Sequence, residues 1–192
     1  MKTSHLDNHP DIATARLNDQ KRCVEIELSD AGHEKLKLVS HTILAADIEK
    51  AIASEFDMNY PIAFSVSEKY ALNFIEGNEW PELLSMRCSA TSVELNIWVQ
   101  QELSWFDGHF PGHPVLAGVV QTHWASTIAQ HLFHIKTDFQ GVENLKFQRI
   151  IEPQTQLLLS LEFSREKQRV LFRYSTADGD YSKGRIRFAP DK

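Results

Sequence analysis

The order of hydrophobic periods in the second half of the chain limits its fold more than any other feature. Val93, Leu95, Ile97 and Val99 alternate with Glu94, Asn96, Trp98 and Gln100. A period of two is that of a strand with one buried face. A Gly/Pro/His loop follows from Asp107 to Pro114, and Gly118 to His134 then carries Val120, Trp124, Ile128 and Leu132 at fourfold spacing, the apolar stripe of a helix. After Gly141 come four strand-like runs, Asn144 to Ile151, Leu157 to Phe163, Arg169 to Thr176 and Lys183 to Phe188, punctuated by Pro153, Glu166-Lys167 and Asp178-Gly179. One strand, one helix and an antiparallel meander predict an α+β unit in which a sheet wraps around a central helix.

The first half reads as a separate, small α/β unit. Cys23-Val-Glu-Ile-Glu-Leu28 alternates at period two, and Leu44, Ile48, Ile52 and Phe56 fall on one face of a helix over Ile43 to Phe56. Asp57-Met-Asn-Tyr-Pro61 ends that helix, because proline disfavours helical geometry in the residue before it. A strand over Ile62 to Val66 and a short helical start at Trp80 to Leu84 follow, with a linker near Arg87 to Thr91. These signals divide the 192 residues into a domain of residues 1–88 and a domain of residues 89–192.

Charge and composition remove several function classes. Residues 1–90 carry 9 Lys and Arg against 15 Asp and Glu, whereas residues 91–192 carry 11 of each, so the net charge of −6 is N-terminal. An acidic balance without a basic stripe argues against nucleic acid as a partner. Between Lys146 and Arg187, nine basic residues stand against five acidic ones, which reads either as solvated strand faces or as a docking patch for an acidic protein. Apolar runs such as Leu157 to Leu159 are far shorter than the roughly 20 residues that cross a bilayer. Two cysteines without a CxxC pair, and no signal-peptide pattern, predict a reducing, cytoplasmic setting.

The chemistry concentrates between Asp107 and Ala125. Glycines and prolines from Gly108 to Pro114 restrict a loop that can hold His109 in one orientation. Gly118, at the helix start, can present its amide N–H at the positive end of the helix toward a carbonyl oxygen. His123 follows five residues later on the same helix. A histidine alone is more often structural than catalytic, but two of them around such a loop could remove an α-proton and protonate a hydroxyl, which is β-elimination of water.

The same segment resembles the active-site motif of the hot-dog 3-hydroxyacyl-acyl-carrier-protein dehydratases. Gly108, His109, Phe110, Pro111, Gly112, Pro114, Val115, Gly118 and Val119 match that motif in order and spacing, and Asn144-Leu-Lys-Phe-Gln-Arg-Ile-Ile-Glu-Pro153 resembles the family's next strand and proline turn. The resemblance implies a hot-dog fold for residues 89–192, with His109 as catalytic histidine and Gly118 as the substrate-binding glycine whose amide polarises the thioester carbonyl. It further implies a carrier-bound 3-hydroxyacyl substrate on phosphopantetheine, no cofactor, and a homodimer with sites lined by both subunits. His123 falls where the family has a carboxylate, and Ala117 replaces a proline. The run Gly-Val-Val-Gln-Thr-His-Trp-Ala is similar to the subgroup associated with aryl-polyene and related lipid pathways. More weakly, residues 1–88 resemble the small C-terminal subdomain of adenylate-forming acyl synthetases. Gly77 is followed there by Asn78 rather than the catalytic lysine of those enzymes.

Three alternatives have sequence support. A hot-dog thioesterase would use Asp107 as nucleophile or base, although a turn role before Gly108 explains that residue as well. A non-catalytic acyl- or carrier-binding module is favoured by the missing carboxylate. A metal site among His109, His113, His123, His131 and His134 is disfavoured, because no cysteine or acidic ligand accompanies them at ligand spacing.

Overall fold

The computed structural model describes residues 9–18, 23–36, 38–53, 62–65, 77–89, 91–108 and 112–190. Contacts divide the chain into two compact units, one of residues 1–71 with 86–93 and one of residues 72–85 with 94–192.

The first unit contains β1 (Ile12–Asn18), β2 (Cys23–Leu28), α1 (Asp30–Leu36), α2 (His41–Ile52) and β3 (Ile62–Ser65). β2 pairs antiparallel with β1 and parallel with β3, and a parallel pair needs a crossover, which the two helices supply. α2 starts at Ser40, whose hydroxyl accepts the Ile43 N–H at 3.2 Å and so satisfies one otherwise unpaired first-turn donor. Its stripe is buried as the fourfold spacing predicts, with Leu44, Ile48 and Ile52 inaccessible. The helix ends at Ile52, four residues before the expected Phe56, which lies outside the described residues together with Asp57 to Pro61 and Val66.

The remaining elements are β4 (Glu82–Cys88), β5 (Ser92–Val99), α3 (Gly118–Leu132), β6 (Phe139–Phe147), β7 (Thr155–Ser164), β8 (Arg169–Thr176) and β9 (Gly179–Phe188). They form a six-stranded sheet in the order β4-β5-β7-β8-β9-β6, around the long helix α3. This is the expected α+β hot-dog arrangement. β5 buries Val93, Leu95, Ile97 and Val99, and α3 buries Val120, Trp124, Ile128 and Leu132, so both periods are borne out.

Two segments differ from expectation. Trp80 to Leu84, read as a helical start, leads instead into strand β4, and the segment read as a linker is the end of β4 and its turn to β5. There Ser89 N–H donates to Ser92 O at 2.8 Å and the two hydroxyls lie 2.7 Å apart. Edge pairing to β5 has overridden the local helical preference of Glu-Leu-Leu. β6 begins at Phe139 and ends at Phe147 rather than spanning Asn144 to Ile151. Its pairing with β9 shifts register between Glu143 and Lys146, where Asn144 has φ 52°.

Candidate functional site

Among the described residues, Gly118, Gln121 and His123 of the candidate site lie on the first two turns of α3. Ala117, the N-cap residue, has φ −58° and ψ 143° and makes no side-chain capping bond. Its carbonyl accepts from Val120 N–H at 3.0 Å and Gln121 N–H at 3.2 Å, and the positive end of the helix macrodipole begins at Gly118. A side chain at Gly118 would collide with the ring of Phe147 from β6. The glycine thus has a packing reason beside any role in leaving its amide accessible.

The segment before the helix is held at both ends of one residue. Leu116 N–H donates to Ile151 O at 2.8 Å, and Leu116 O accepts from the Gln121 side-chain amide at 2.9 Å. Gln121 is buried within α3 and was not singled out from the sequence. Its Oε1 accepts the Ser182 hydroxyl at 2.6 Å, and its backbone O accepts the Tyr174 hydroxyl at 2.9 Å. Complete burial pushes the Tyr174 phenol up, so it stays a neutral donor.

His123 lies on the exposed face of α3, one turn after the exposed Val119. Two indoles flank it: Trp80 at 5.3 Å between ring centroids and Trp105 at 6.3 Å, edge-on. In the segment carrying Trp80, Glu79 O accepts from Trp105 Nε1 at 2.6 Å and from Trp124 Nε1 at 2.9 Å. Ser104 N–H donates to the adjacent Asn78 O at 2.8 Å. Neither tryptophan was expected near His123. The only sequence signal was that Trp80 and Trp105 lie in turn-rich stretches, where large aromatics need a packing partner.

The other candidates divide as follows. His109 lies outside the described residues with Phe110 and Pro111, while Gly108 and Gly112 on either side have φ 75° and 92°, the left-handed region that favours glycine. Asp107 follows a short 3-10 turn, Ser104–Phe106, and its N–H donates to Ser104 O at 3.1 Å, the geometry of its turn role. His113 is exposed. His131 and His134 lie at the far end of α3, and burial lowers the pKa of each. Among the described residues, no group of three or more His, Cys, Asp or Glu could hold a metal ion, and no helix is long and apolar enough to cross a membrane.

Comparison with known proteins gives a consistent picture. A family model described as ApeI-like, ApeI dehydratase, matches residues 85–185, just over half of the chain. The 3-hydroxyacyl-[acyl-carrier-protein] dehydratase FabZ of Oenococcus oeni is 31% identical over 97 residues, covering 46% of this chain and 68% of that protein. FabZ of Desulfotalea psychrophila is 30% identical over 77 residues, covering 35% of this chain and 51% of that protein. The chain spans about half the length of the first curated relatives it matches. A solved chain of the dehydratase heterocomplex ApeI:P from Xenorhabdus doucetiae is 31% identical with a TM-score of 0.54, over 57% of this chain and 97% of that one. A helix-start glycine after a Gly/Pro/His loop, set against a wrapped antiparallel sheet, and a family match over that same region lead to one conclusion: the chain belongs to the ApeI-like dehydratase family of the hot-dog fold.

Proposed function

We propose that the protein removes water from a 3-hydroxyacyl thioester carried on the phosphopantetheine arm of an acyl carrier protein, giving the trans-2-enoyl thioester in fatty-acid or aryl-polyene-type lipid synthesis. The observation that carries this reading is the start of α3, where an uncapped helix N-terminus at Gly118 shares one helix with an exposed histidine, His123, just over a turn later.

The chemistry follows from what the substrate lacks. Its α-proton is weakly acidic and hydroxide is a poor leaving group, so the carbonyl must be polarised, a base must take the α-proton and an acid must protonate the β-oxygen. Gly118 N–H supplies the first by hydrogen-bonding the thioester oxygen as negative charge develops there. His109 takes the α-proton. The C–H electron pair becomes the Cα–Cβ double bond, the Cβ–O bond breaks, and the oxygen leaves as water with a proton from His123. A neutral His109 and a protonated His123 are required together, so the rate passes through a maximum with pH.

Two copies complete the site in this proposal. β6 is an edge strand whose residues are exposed or half-buried along its whole length, with Phe139, Leu145 and Phe147 open, and Ile150 and Val119 are exposed nearby in sequence or on α3. An open apolar edge favours pairing with a second copy, the homodimer expected from the family resemblance.

The acidic carrier fits the solvent face of β6, β8 and β9. Arg169 stands opposite Arg187, Arg173 opposite Lys183 and Lys183 opposite Lys146. Like charges directly opposite one another destabilise a sheet, and here Glu143 lies within ion-pair distance of Arg169 and Arg187, and Asp180 of Arg173 and Lys183. Two carboxylates shared among four cations leave that face a positive excess, which an anionic partner would neutralise.

Product analysis tests the function. Incubation with a panel of 3-hydroxyacyl carrier proteins should yield carrier-bound product lighter by one water. Free carrier thiol would instead identify a thioesterase, and tight binding without turnover would identify a non-catalytic module.

A further inference from the structure

The proposed reaction needs the Gly118 N–H to point in one direction, and the side chain of the cap residue Ala117 contributes no bond that would fix it. Ala117 adopts φ −58° without a proline ring, and its own side chain makes no capping bond. What holds the segment lies one turn further on. The position of Gln121 faces the core beside Val120, Trp124 and Ala125, all buried, where an apolar residue would serve packing equally well. Burying a primary amide is costly unless its hydrogen-bonding groups are satisfied.

The network identifies the orientation of that amide. Leu116 O can only accept, so the group 2.9 Å from it is Nε2, which leaves Oε1 for the Ser182 hydroxyl at 2.6 Å. Ser182 and Tyr174 are themselves inaccessible to solvent. Leu116 is thus gripped at its N–H by Ile151 and at its carbonyl by Gln121, two residues before the amide that matters.

We infer that Gln121 is a positioning residue of the site: through Leu116, and braced by Ser182 and Tyr174, it fixes the direction of the Gly118 N–H. The inference deepens the dehydration reading and rests on it for its kinetic consequence, but its structural content is independent of turnover. Gln121 touches neither substrate nor the reacting histidines in this scheme. It acts only through the 116–118 backbone.

The test uses the full chain with Gln121→Met, which keeps length and removes the amide, and with Ser182→Ala and Tyr174→Phe as milder variants that each remove one brace. NMR relaxation reads the Gly118 N–H directly. In the wild type its order parameter should be that of rigid backbone, about 0.85, and in Gln121→Met it should fall toward the flexible range, below about 0.6. Dehydration by the same variant should lose kcat by about 10- to 100-fold at unchanged KM, because a small misplacement of a reacting group costs rate rather than ground-state binding. Should Gln121→Met fail to fold, the two milder variants carry the same measurements with smaller effects in the same direction. A Gly118 amide that stays rigid in folded variants overturns the inference, as does an amide that loosens while kcat stays unchanged. If the wild type dehydrates no substrate, the function fails, and the order parameter alone decides the role of Gln121.

Discussion

The two faces of α3 behave as different kinds of surface. One face, Val120, Trp124, Ile128 and Leu132, is buried, and its chemistry is that of close packing. The other presents Val119, 76% exposed, and His123, one turn apart. Val119 is apolar and uncovered while its neighbour is titratable and ringed by indoles, a combination that neither stability nor solubility asks for. One side thus anchors the helix in the core, and the other is free for the role proposed for it. Substitutions on the two faces should therefore fail in different ways.

The largest effect is expected at the residues proposed for proton transfer. His109→Ala should lower dehydration by about 10² to 10⁴ with the fold intact, the usual loss for an acid–base group, as kinetics and circular dichroism would show together. The opposite signature belongs to the buried face. Trp124→Ala should cost about 3–5 kcal/mol of stability through the cavity it leaves, measured by urea unfolding. It would also remove one of the two indole donors to Glu79 O. A Trp124 variant that lost activity without losing stability would break the comparison.

Smaller effects probe the surfaces beyond α3. Leu145→Glu on the exposed edge of β6 should shift the protein from dimer to monomer in light scattering at micromolar concentration. A wild type already monomeric there would remove the dimer. Charge reversal at Arg165, Lys167 and Arg169 should weaken carrier binding and flatten its salt dependence, since exposed charges are screened within about 8 Å at physiological ionic strength.

The smallest expected effect lies at the C-terminal end of α3. His131 and His134 have pKa values lowered from 6.5 mainly by burial, with the neighbouring histidine and Lys136 adding to the respective shifts. A depressed histidine binds fewer protons folded than unfolded below 6.5, so stability is full above that pH and declines as pH falls through the folded values. Thermal unfolding should show that decline, and the double substitution His131→Gln with His134→Asn should reduce it. Asparagine suits position 134, where φ is 52°.

Much of this architecture was legible in the sequence where periodicity and burial coincide. β5 and α3 each bury one clean face, so alternation and fourfold spacing marked both. β6 was misread by several residues because an edge strand with almost no buried position leaves no alternation to read, and its register breaks at Asn144. β4 escaped because its strand state comes from pairing with β5 rather than from its own residues. β1, largely exposed, escaped for the same reason as β6. In the candidate site, the placement of Gly118 at the helix start and of His123 one turn on was legible from spacing. Trp80, Trp105 and Gln121 were not, since their meaning lies in partners far along the chain: Trp80 and Trp105 against His123, and Gln121 against Ser182, 61 residues away.

His123 is where the proposed chemistry of the open face of α3 can be decided. Single-turnover dehydration of a 3-hydroxyacyl carrier protein, read by mass, should be slower in His123→Ala than in the wild type by about 10² to 10⁴, with Tm unchanged. His123→Glu, which restores the carboxylate of the related motif, should recover rate. Undiminished dehydration by His123→Ala would make the histidine structural and leave the proton to water or another residue.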